Sequence, residues 1–536
     1  MSYNIMPGLL VILLFVSTAW GVLNNTDNKA LLDGNVKNVS LVNLKGNEPF
    51  MQIVAFAPNS YITFDAFDIP RNVSFIIFQI HTYQYNITLS YDKIEFEKVT
   101  SRSVFGSNVG LYVDTTSKKT TQMFIQNDNV REVNAMLVVT GYNDKVPVPG
   151  GCNMEFGTEI APYEKILVKD AVVIVDVQPA SAPLSGGVKP LCDTNRVQHE
   201  MYHMYLPEQN FDPNTYFSAI TSMLTVEDIM QNGQKILAPF GAPPMRRVFS
   251  AYTGIGSVYV VVAKYNNYSS AYVPTFSYAC NPVLYPESCE LLHGAFDKLL
   301  CAVVFFVGFF SVFFGHKCVE FDMLLPIVFM GGVAGYIVDA NIAVALGFGF
   351  IAAFLWSILT SALEMTAVTS LVFSLAPGLF FSCLAYFRAP DTFIILENDF
   401  VFWMLFITVA LAVSLVVAVL RTFSLVLTCA IFGSFMMILP IDYYAGSSLK
   451  YIMINVIRRA TVPEFGVAIV QPPYQAADIG LTLLWIALMV FRIFRPWFPF
   501  ALTPSGETPR FFVSERTPLI NSRFIGRVNI RSDPLL

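Results

Sequence analysis

Charge is what this sequence has least of. Across 536 residues only 13% are Asp, Glu, Lys or Arg, 54% are hydrophobic, and the mean hydropathy is +0.54. Soluble domains carry about 25% charged residues, so a wholly soluble chain is excluded and part of this one belongs in lipid. The scarcity is uneven: most charges precede residue 298, and long stretches between Leu299 and Phe494 have almost none. The net charge of −6 therefore describes the N-terminal half, and it does not suit a nucleic-acid binder.

Histidine is rarer still. There are five, with none after His316, which removes the simplest zinc site from the apolar half. Ionisable groups are also missing from the centres of the apolar segments, where a transporter or membrane hydrolase would need them. Asp339, Glu364, Asp478 and Arg492 fall near predicted ends and read as interfacial. A conventional G-protein-coupled receptor is disfavoured by three absences. No D-R-Y follows the third apolar segment, no N-P-x-x-Y lies in the seventh, and little more than Arg421-Thr422 separates the fifth from the sixth.

What is present begins with a short apolar run, Leu9 to Val16, followed by Ala19 and Gly21. It reads as a signal peptide over residues 1–21. N-x-S/T sequons begin at Asn24, Asn38, Asn72, Asn86 and Asn267, and none lies beyond. Their confinement predicts a glycosylated ectodomain on the lumenal or extracellular side. Cys152, Cys192, Cys280 and Cys289 share that region, an even number in an oxidising compartment. Three pairings are possible. The short loop favours Cys280 with Cys289, which leaves Cys152 with Cys192.

The ectodomain reads as β-rich. Residues 82–91 alternate polar and apolar, the signature of a half-buried strand with Asn86 on its polar face. β-branched and aromatic runs recur at Met51 to Ala57, Val73 to Ile80, Ala135 to Val139, Ala171 to Val177 and Ser257 to Ala263. No comparable amphipathic helix is expected. Pro147 to Gly151 reads as a linker, which predicts antiparallel β-sandwich units over residues 22–145 and 146–290.

His199-Glu200-Met201-Tyr202-His203 satisfies H-E-x-x-H, which on a helix would place two imidazoles on zinc with Glu200 as general base. Pro190, Pro207 and the crowd of aromatic and Met residues predict a strand instead, where residues four apart stand too far apart for one metal. No third histidine follows until His293, so Glu208 or Glu227 would have to serve. Neither an enzyme nor a cofactor site is predicted.

Seven apolar segments follow, at about 295–315, 322–339, 340–360, 366–387, 400–420, 422–441 and 476–494, each near the ~20 residues a bilayer requires. They predict an all-α seven-helix transmembrane bundle over residues 295–494. An odd count with a lumenal N-terminus places the tail, 495–536, in the cytoplasm. Lys317, Arg421 and the tail arginines agree, while Lys450, Arg458 and Arg459 fall in a long outer loop. Small residues at Gly331, Gly335, Ala343 and Gly347 predict close helix packing. The outer loop, 442–475, reads either as an interfacial amphipathic helix or as a lid against the ectodomain.

Two segments carry a resemblance. Tyr451-Ile452-Met453-Ile454-Asn455-Val456-Ile457-Arg458-Arg459-Ala460 and Gln471-Pro472-Pro473-Tyr474-Gln475, with Gly151-Cys152-Asn153-Met154-Glu155-Phe156 and Tyr205-Leu206-Pro207-Glu208, resemble the transmembrane 7 superfamily member 3 family. The resemblance implies seven spans below a large N-terminal ectodomain, a role in cell survival and attenuation of endoplasmic-reticulum stress, and no catalytic activity. The family pattern does not keep H-E-x-x-H. A lumenal or extracellular protein is the expected partner, besides membrane lipids, and lipid handling is the alternative reading. In the tail, Glu515, Leu519 and Ile520 fit an acidic dileucine signal for a clathrin adaptor. It predicts passage through plasma and endolysosomal membranes.

Overall fold

The structure, a computed structural model, describes residues 34–494 apart from 45–47, 94–101, 117, 154, 170, 184–191, 193–196, 238–244, 293, 364–366 and 390–396. Residues 1–21, expected to be a signal peptide, with Asn24, His293, Glu364 and the tail carrying Glu515, Leu519 and Ile520, lie outside the described residues.

The first ectodomain unit uses β1 (Val36–Ser40), β2 (Phe50–Phe56), β3 (Ser60–Phe67), β4 (Phe75–Thr82), β5 (Ile87–Ser90), β6 (Ser103–Gly106), β7 (Asn108–Asp114), β8 (Thr121–Asn127) and β9 (Val133–Tyr142). They form two sheets, ordered β2-β9-β4-β7 and β1-β3-β8-β5-β6. Alternation along β3 turns Ile62, Phe64 and Ala66 inward, and Phe64 meets Phe78 of the facing sheet at 4.7 Å between ring centroids. Pairing is antiparallel except at the edge, where β1 joins β3 in parallel. β4 is buried along its whole length, because the second unit covers its other face. That explains why its sequence, FIIFQIHT, runs apolar rather than alternating.

The strand predicted over 82–91 is shorter in the structure. Gln84 turns with φ +62°, the Thr82 hydroxyl bonds to the carbonyls of Tyr85 and Ser107, and β5 starts only at Ile87. These local bonds end the ladder that the alternation implied.

The second unit holds β10 (Glu164–Lys169), β11 (Val172–Val177), β12 (Gln198–Tyr205), β13 (Gln234–Ile236), β14 (Arg246–Ser250), β15 (Ser257–Tyr265), β16 (Tyr268–Ala271) and β17 (Thr275–Ser277). Its sheets run β10-β11-β14 and β13-β12-β15-β16, with β17 also on β15. Disulfides join Cys152 to Cys192 and Cys280 to Cys289. Two short helices were not expected from the sequence, α1 (Pro213–Thr221) and α2 (Val226–Asn232). Pro213 at the first position starts α1, and the Thr225 hydroxyl accepts from the Asp228 amide at 3.1 Å to start α2. The aromatic content of α1 hid its period, yet Tyr216, Phe217 and Ile220 fall on one buried face.

Residues 147–151 are not a free linker. The Val148 and Ser181 backbones exchange hydrogen bonds at 3.0 Å. Gly150 has φ +65°, and a Cβ there would stand 1.8 Å from the Ala161 carbonyl oxygen, so only glycine fits. The two units are fused: Met136 and Val138 of β9 share a core with Tyr216, Ile220 and Val258, and the Tyr216 hydroxyl donates to Asn108 at 2.7 Å.

Seven helices among the described residues are long and apolar enough to cross a membrane: α3 (Ala295–Phe314), α4 (Val319–Val338), α5 (Ile342–Leu363), α6 (Ala367–Phe387), α7 (Asp399–Val419), α8 (Arg421–Ala445) and α10 (Ala476–Phe494), with α9 (Tyr451–Thr461) between the last two. The main pairings are α4 with α5, α6 with α7 and α3 with α8. Glycines bring the backbones together. A Cβ on Gly331 or Gly335 would collide with Ala352 or Phe348, and one on Gly308 with the Met437 backbone. Gly347, predicted to pack in the same way, faces open space. The outward faces carry Phe306, Phe350, Phe354 and Val416, each about two-thirds exposed, a surface that only lipid satisfies.

Candidate functional site at the ectodomain–bundle junction

Residues 442–475 hold the expected amphipathic helix, α9, packed between the ectodomain and the spanning helices. They form a mount bonded to the ectodomain above and the helices below. The chain after α9 adds itself to a sheet edge: the Ser250 amide donates to the Ile469 carbonyl and the Ile469 amide to the Val248 carbonyl, both at 2.9 Å. Phe465 completes the apolar seam with Val172, Ile174 and Val248. Further on, the Tyr252 hydroxyl donates to the Val470 carbonyl at 2.8 Å and Tyr205 to Gln471 at 2.9 Å. The Gln475 amide group donates to the Leu206 carbonyl at 3.1 Å.

α9 itself is wedged in place. Tyr451, Ile452, Met453 and Val456 are buried, and Tyr451 sits edge-on to Tyr252 at 4.6 Å, a pairing that contributes about 0.5–1.5 kcal/mol. Arg458 donates to the Ala251 carbonyl at 2.7 Å and the Ser250 hydroxyl at 3.2 Å. Arg459 reaches the bundle, pairing with Asp399 at 2.7 Å and lying 4.6 Å above the Phe402 ring.

Charge locks the helix ends nearest the ectodomain. Asp442 of α8, wholly buried, accepts from the Leu449 and Lys450 amides at 2.9 and 3.0 Å and from the Ser447 hydroxyl. Lys450 stands 3.7 Å from Asp442 and 3.2 Å from Glu208 of the ectodomain. Burial pushes the Glu208 carboxyl up to about 7 against the opposing pull of Lys450. Burial works against the Lys450 charge, but Asp442, Tyr451 and Glu208 overcome it and the net shift is upward. Asp478 of α10 accepts from the Ser448 amide at 2.6 Å and the Gln475 amide at 2.7 Å.

Asp478 and Arg492 do lie near helix ends, as expected, but both are buried against partners. At the far end of the bundle Arg492 pairs with Asp322 at 2.6 Å, with side chains 6% and 2% exposed, and the Ser311 hydroxyl donates to the same carboxylate. Position along a helix gives depth but not neighbours, so the sequence could not reveal these pairings. One signal was present: Asp322 at the start of one apolar helix and Arg492 at the end of another are opposite charges at the same depth.

The H-E-x-x-H residues lie on β12 and are not brought together. His199 accepts from the Ala180 amide at 2.9 Å. Glu200, on the opposite strand face, binds Lys235 and Lys264 at 2.6 Å each. Burial would raise its carboxyl, but these lysines and Tyr202 hold it down to about 2. His203 is buried edge-on to Tyr205 and Phe249, and burial pulls it down to about 4. Among the described residues no His, Cys, Asp or Glu group is placed to hold a metal ion. Asn38, Asn72, Asn86 and Asn267 are all exposed.

Beside the mount lies a cavity of about 690 Å³, bounded by Tyr205, Gln234, Phe387, Arg388, Pro472 and Tyr474. Arg388 lies 4.2 Å above the Tyr474 ring.

Three family descriptions match along the chain: TM7SF3-like, N-terminal immunoglobulin-like domain at residues 43–142; TM7SF3-like, second immunoglobulin-like domain at 147–283; and TM7S3/TM198-like domain at 301–495. The chain belongs to the transmembrane 7 superfamily member 3 family. The human protein of that name is 27% identical over 466 residues, covering 81% of this chain and 80% of its own length. The mouse protein is 26% identical, covering 79% and 78%. In this family member the two immunoglobulin-like units and the seven spans meet at a mount built from 442–475.

Proposed function

We propose that this multi-pass membrane protein is not an enzyme but a coupling device: its ectodomain binds a lumenal or extracellular protein, and the mount links that ectodomain to the bundle in support of protein homeostasis and cell survival. The carrying observation is the unbroken series of bonds from β14 through residues 469–471 and α9 to Asp442 and Asp478. A tether would need no such order, since each fixed residue costs about 1–2 kcal/mol of backbone entropy. The test compares cells lacking the protein with cells carrying wild type or Arg458→Ala under a folding challenge. Loss of the protein raises stress-response reporters, and the variant restores them poorly at equal abundance. Unchanged reporters and secretion on loss of the protein would overturn the homeostasis role.

The orientation that goes with this reading puts the sequons in the lumen and the tail in the cytoplasm, so glycosidase treatment shifts the full-length protein by several glycans. Glu515, Leu519 and Ile520 then face clathrin adaptors, and Leu519→Ala with Ile520→Ala raises surface biotinylation. An unshifted band or equal surface levels would count against each in turn.

Lipid handling is the second reading, favoured by the cavity at Arg388 and Tyr474. The cavity lies at the mouth of the bundle. Within the bundle itself Phe380, Phe432, Phe435 and Trp485 pack ring against ring at 5.0–5.7 Å, so a lipid would be held at the mouth. Phospholipid retained on purified wild type and lost from Arg388→Ala would support this reading.

A further inference from the structure

A second cavity, of about 590 Å³, opens between the two immunoglobulin-like units. One wall comes from the β4–β5 and β8–β9 turns of the first unit, with Asn86, Asn129, Val130 and Arg131, and from Phe105. The other comes from residues of the second unit between 276 and 284, which run from β17 into the loop closed by Cys280–Cys289, and includes Leu284.

Three features single it out. Its size lies within the about 300–1,000 Å³ of small-molecule sites. Large apolar side chains on its walls stay open to solvent, with Phe105 49%, Val130 80% and Leu284 58% exposed. Each wall also turns through a non-glycine residue of positive φ, Gln84 at +62° and Ala279 at +54°, a conformation that costs energy and collects at binding sites. The turn at Gln84 is the one that ends the strand predicted over 82–91, and it leaves Asn86 exposed on the groove wall. Asn86-Ile87-Thr88 is a sequon, and the Asn129 side chain donates to the Asn86 carbonyl at 2.9 Å.

We infer that the groove is the seat of the N-glycan on Asn86, its proximal N-acetylglucosamine lying between the two units and bridging them. The chemistry suits both sides. A pyranose ring has an apolar C–H face for Phe105 and Leu284, while its hydroxyl and acetamide groups suit Asn129 and Arg131. Because the sugar is attached to the groove wall, its effective concentration there is on the order of mM or more, and weak contacts suffice. Sugar stacked on exposed apolar side chains also removes them from water, which is what an unpartnered patch otherwise lacks. The glycan thus acts as a third structural element between units already fused by Met136 and Tyr216.

The inference rests on the lumenal orientation proposed above, and the experiment separates the two. Full-length protein from glycosylating cells is purified in detergent, occupancy is read by intact-glycopeptide mass spectrometry, and amide hydrogen exchange is followed at 129–131 and 277–284. With Asn86 occupied, complete glycan removal speeds exchange there by about tenfold, equivalent to ~1.4 kcal/mol of opening free energy. Trimming to a single N-acetylglucosamine leaves exchange as in the intact protein. Asn86→Gln and Phe105→Glu reproduce the loss, while Asn267→Gln, at the tip of the β15–β16 hairpin, does not. Enzymatic removal from folded protein keeps the test valid where a variant misfolds. Exchange unchanged after complete removal, or already fast at the single-sugar stage, overturns the seat. Occupied Asn267 with empty Asn86 overturns it while sparing the orientation, and emptiness at every sequon removes both.

Discussion

In the ectodomain, His81, His203 and Glu164 are buried and pushed toward their neutral forms. In and beside the bundle, Asp322 and Asp442 are buried against opposite charges, and Asp478 against amide and hydroxyl donors. Burial pulls His81 and His203 down to about 4 and raises Glu164 up to about 8, so each is neutral at pH 7. By contrast Asp322 meets Arg492, and Asp442 meets Lys450. The difference follows from what surrounds each region. A β-sandwich core next to water can leave a group neutral by trading its proton with solvent. Asp322 and Arg492 lie near helix ends yet are packed where almost no water reaches them, so a partner on a neighbouring helix is the accessible remedy. Glu208 sits between the two regimes, paired with Lys450 yet raised to about 7.

The largest expected effect tests the paired region. Arg492→Ala or Asp322→Ala strands one buried charge and should cost about 3–5 kcal/mol, whereas Asp322→Leu with Arg492→Met, which removes both charges, should recover most of it. Thermal unfolding in detergent, with yield as a second measure, compares the three. If the double variant is as unstable as the singles, the pair contributes more than mutual neutralisation and the contrast with the ectodomain fails.

His203 tests the unpaired region. Its folded pKa, about 4, lies below its ordinary 6.5, so between those values the unfolded chain binds more protons. Stability is therefore lost as pH falls from 6.5 toward 4, by about 2 kcal/mol at pH 5. Glu208 has the opposite sign, because a carboxyl raised to about 7 gains stability as pH falls from 7 toward its unfolded value of 4.5. His203→Phe, which keeps an aromatic ring against Phe249 and Tyr205, should flatten the acid limb of the ectodomain's unfolding transition. An unchanged acid slope would mean that this histidine is not the group that charges on unfolding.

How far the sequence reached follows the same division. The seven spans were legible because lipid demands a continuous apolar run, a signal that no neighbour alters. The sheets of the ectodomain were legible in outline, from runs such as Phe75 to Ile80. Strand limits were not, because the bonds that stop a ladder at Thr82 and Gln84 are local side-chain events invisible to periodicity. α1 was missed because Tyr216 and Phe217 favour strands by composition, and their tertiary burial overrode that preference. The mount was visible as an unusually long loop with an apolar run, but its partners Val248, Ser250 and Tyr252 lie some two hundred residues away in sequence. Asp322 and Arg492 are separated by 170 positions. For that pair the one mark in the sequence was opposite charge at matching depth, and for the mount's partners there was none.

One kind of substitution applied to both regions sharpens the comparison. Glu164 is 4% exposed, and neither carboxylate oxygen makes a hydrogen bond. Burial raises it, with only partial electrostatic relief from the backbone of Val261. Its folded pKa of about 8 exceeds the unfolded 4.5, so its contribution to stability is present below pH 4.5 and is lost as pH rises through 8. Glu164→Gln removes the ionisation while keeping the shape. Holding the proton to about 8 against an unfolded 4.5 costs about 4 kcal/mol at pH 8, and the unpartnered amide takes back about 1–3 of it, leaving a gain of about 1–3 kcal/mol. That gain should appear in the ectodomain's unfolding transition at pH 8 and vanish at pH 5. Asp322→Asn, the equivalent swap in the bundle, should instead destabilise at both pH values, because Arg492 keeps its charge and loses its counter-charge. A gain at pH 8 from both substitutions would sink the contrast, and opposite signs would establish that counter-charge in the bundle and neutrality in the ectodomain are separate solutions to burial.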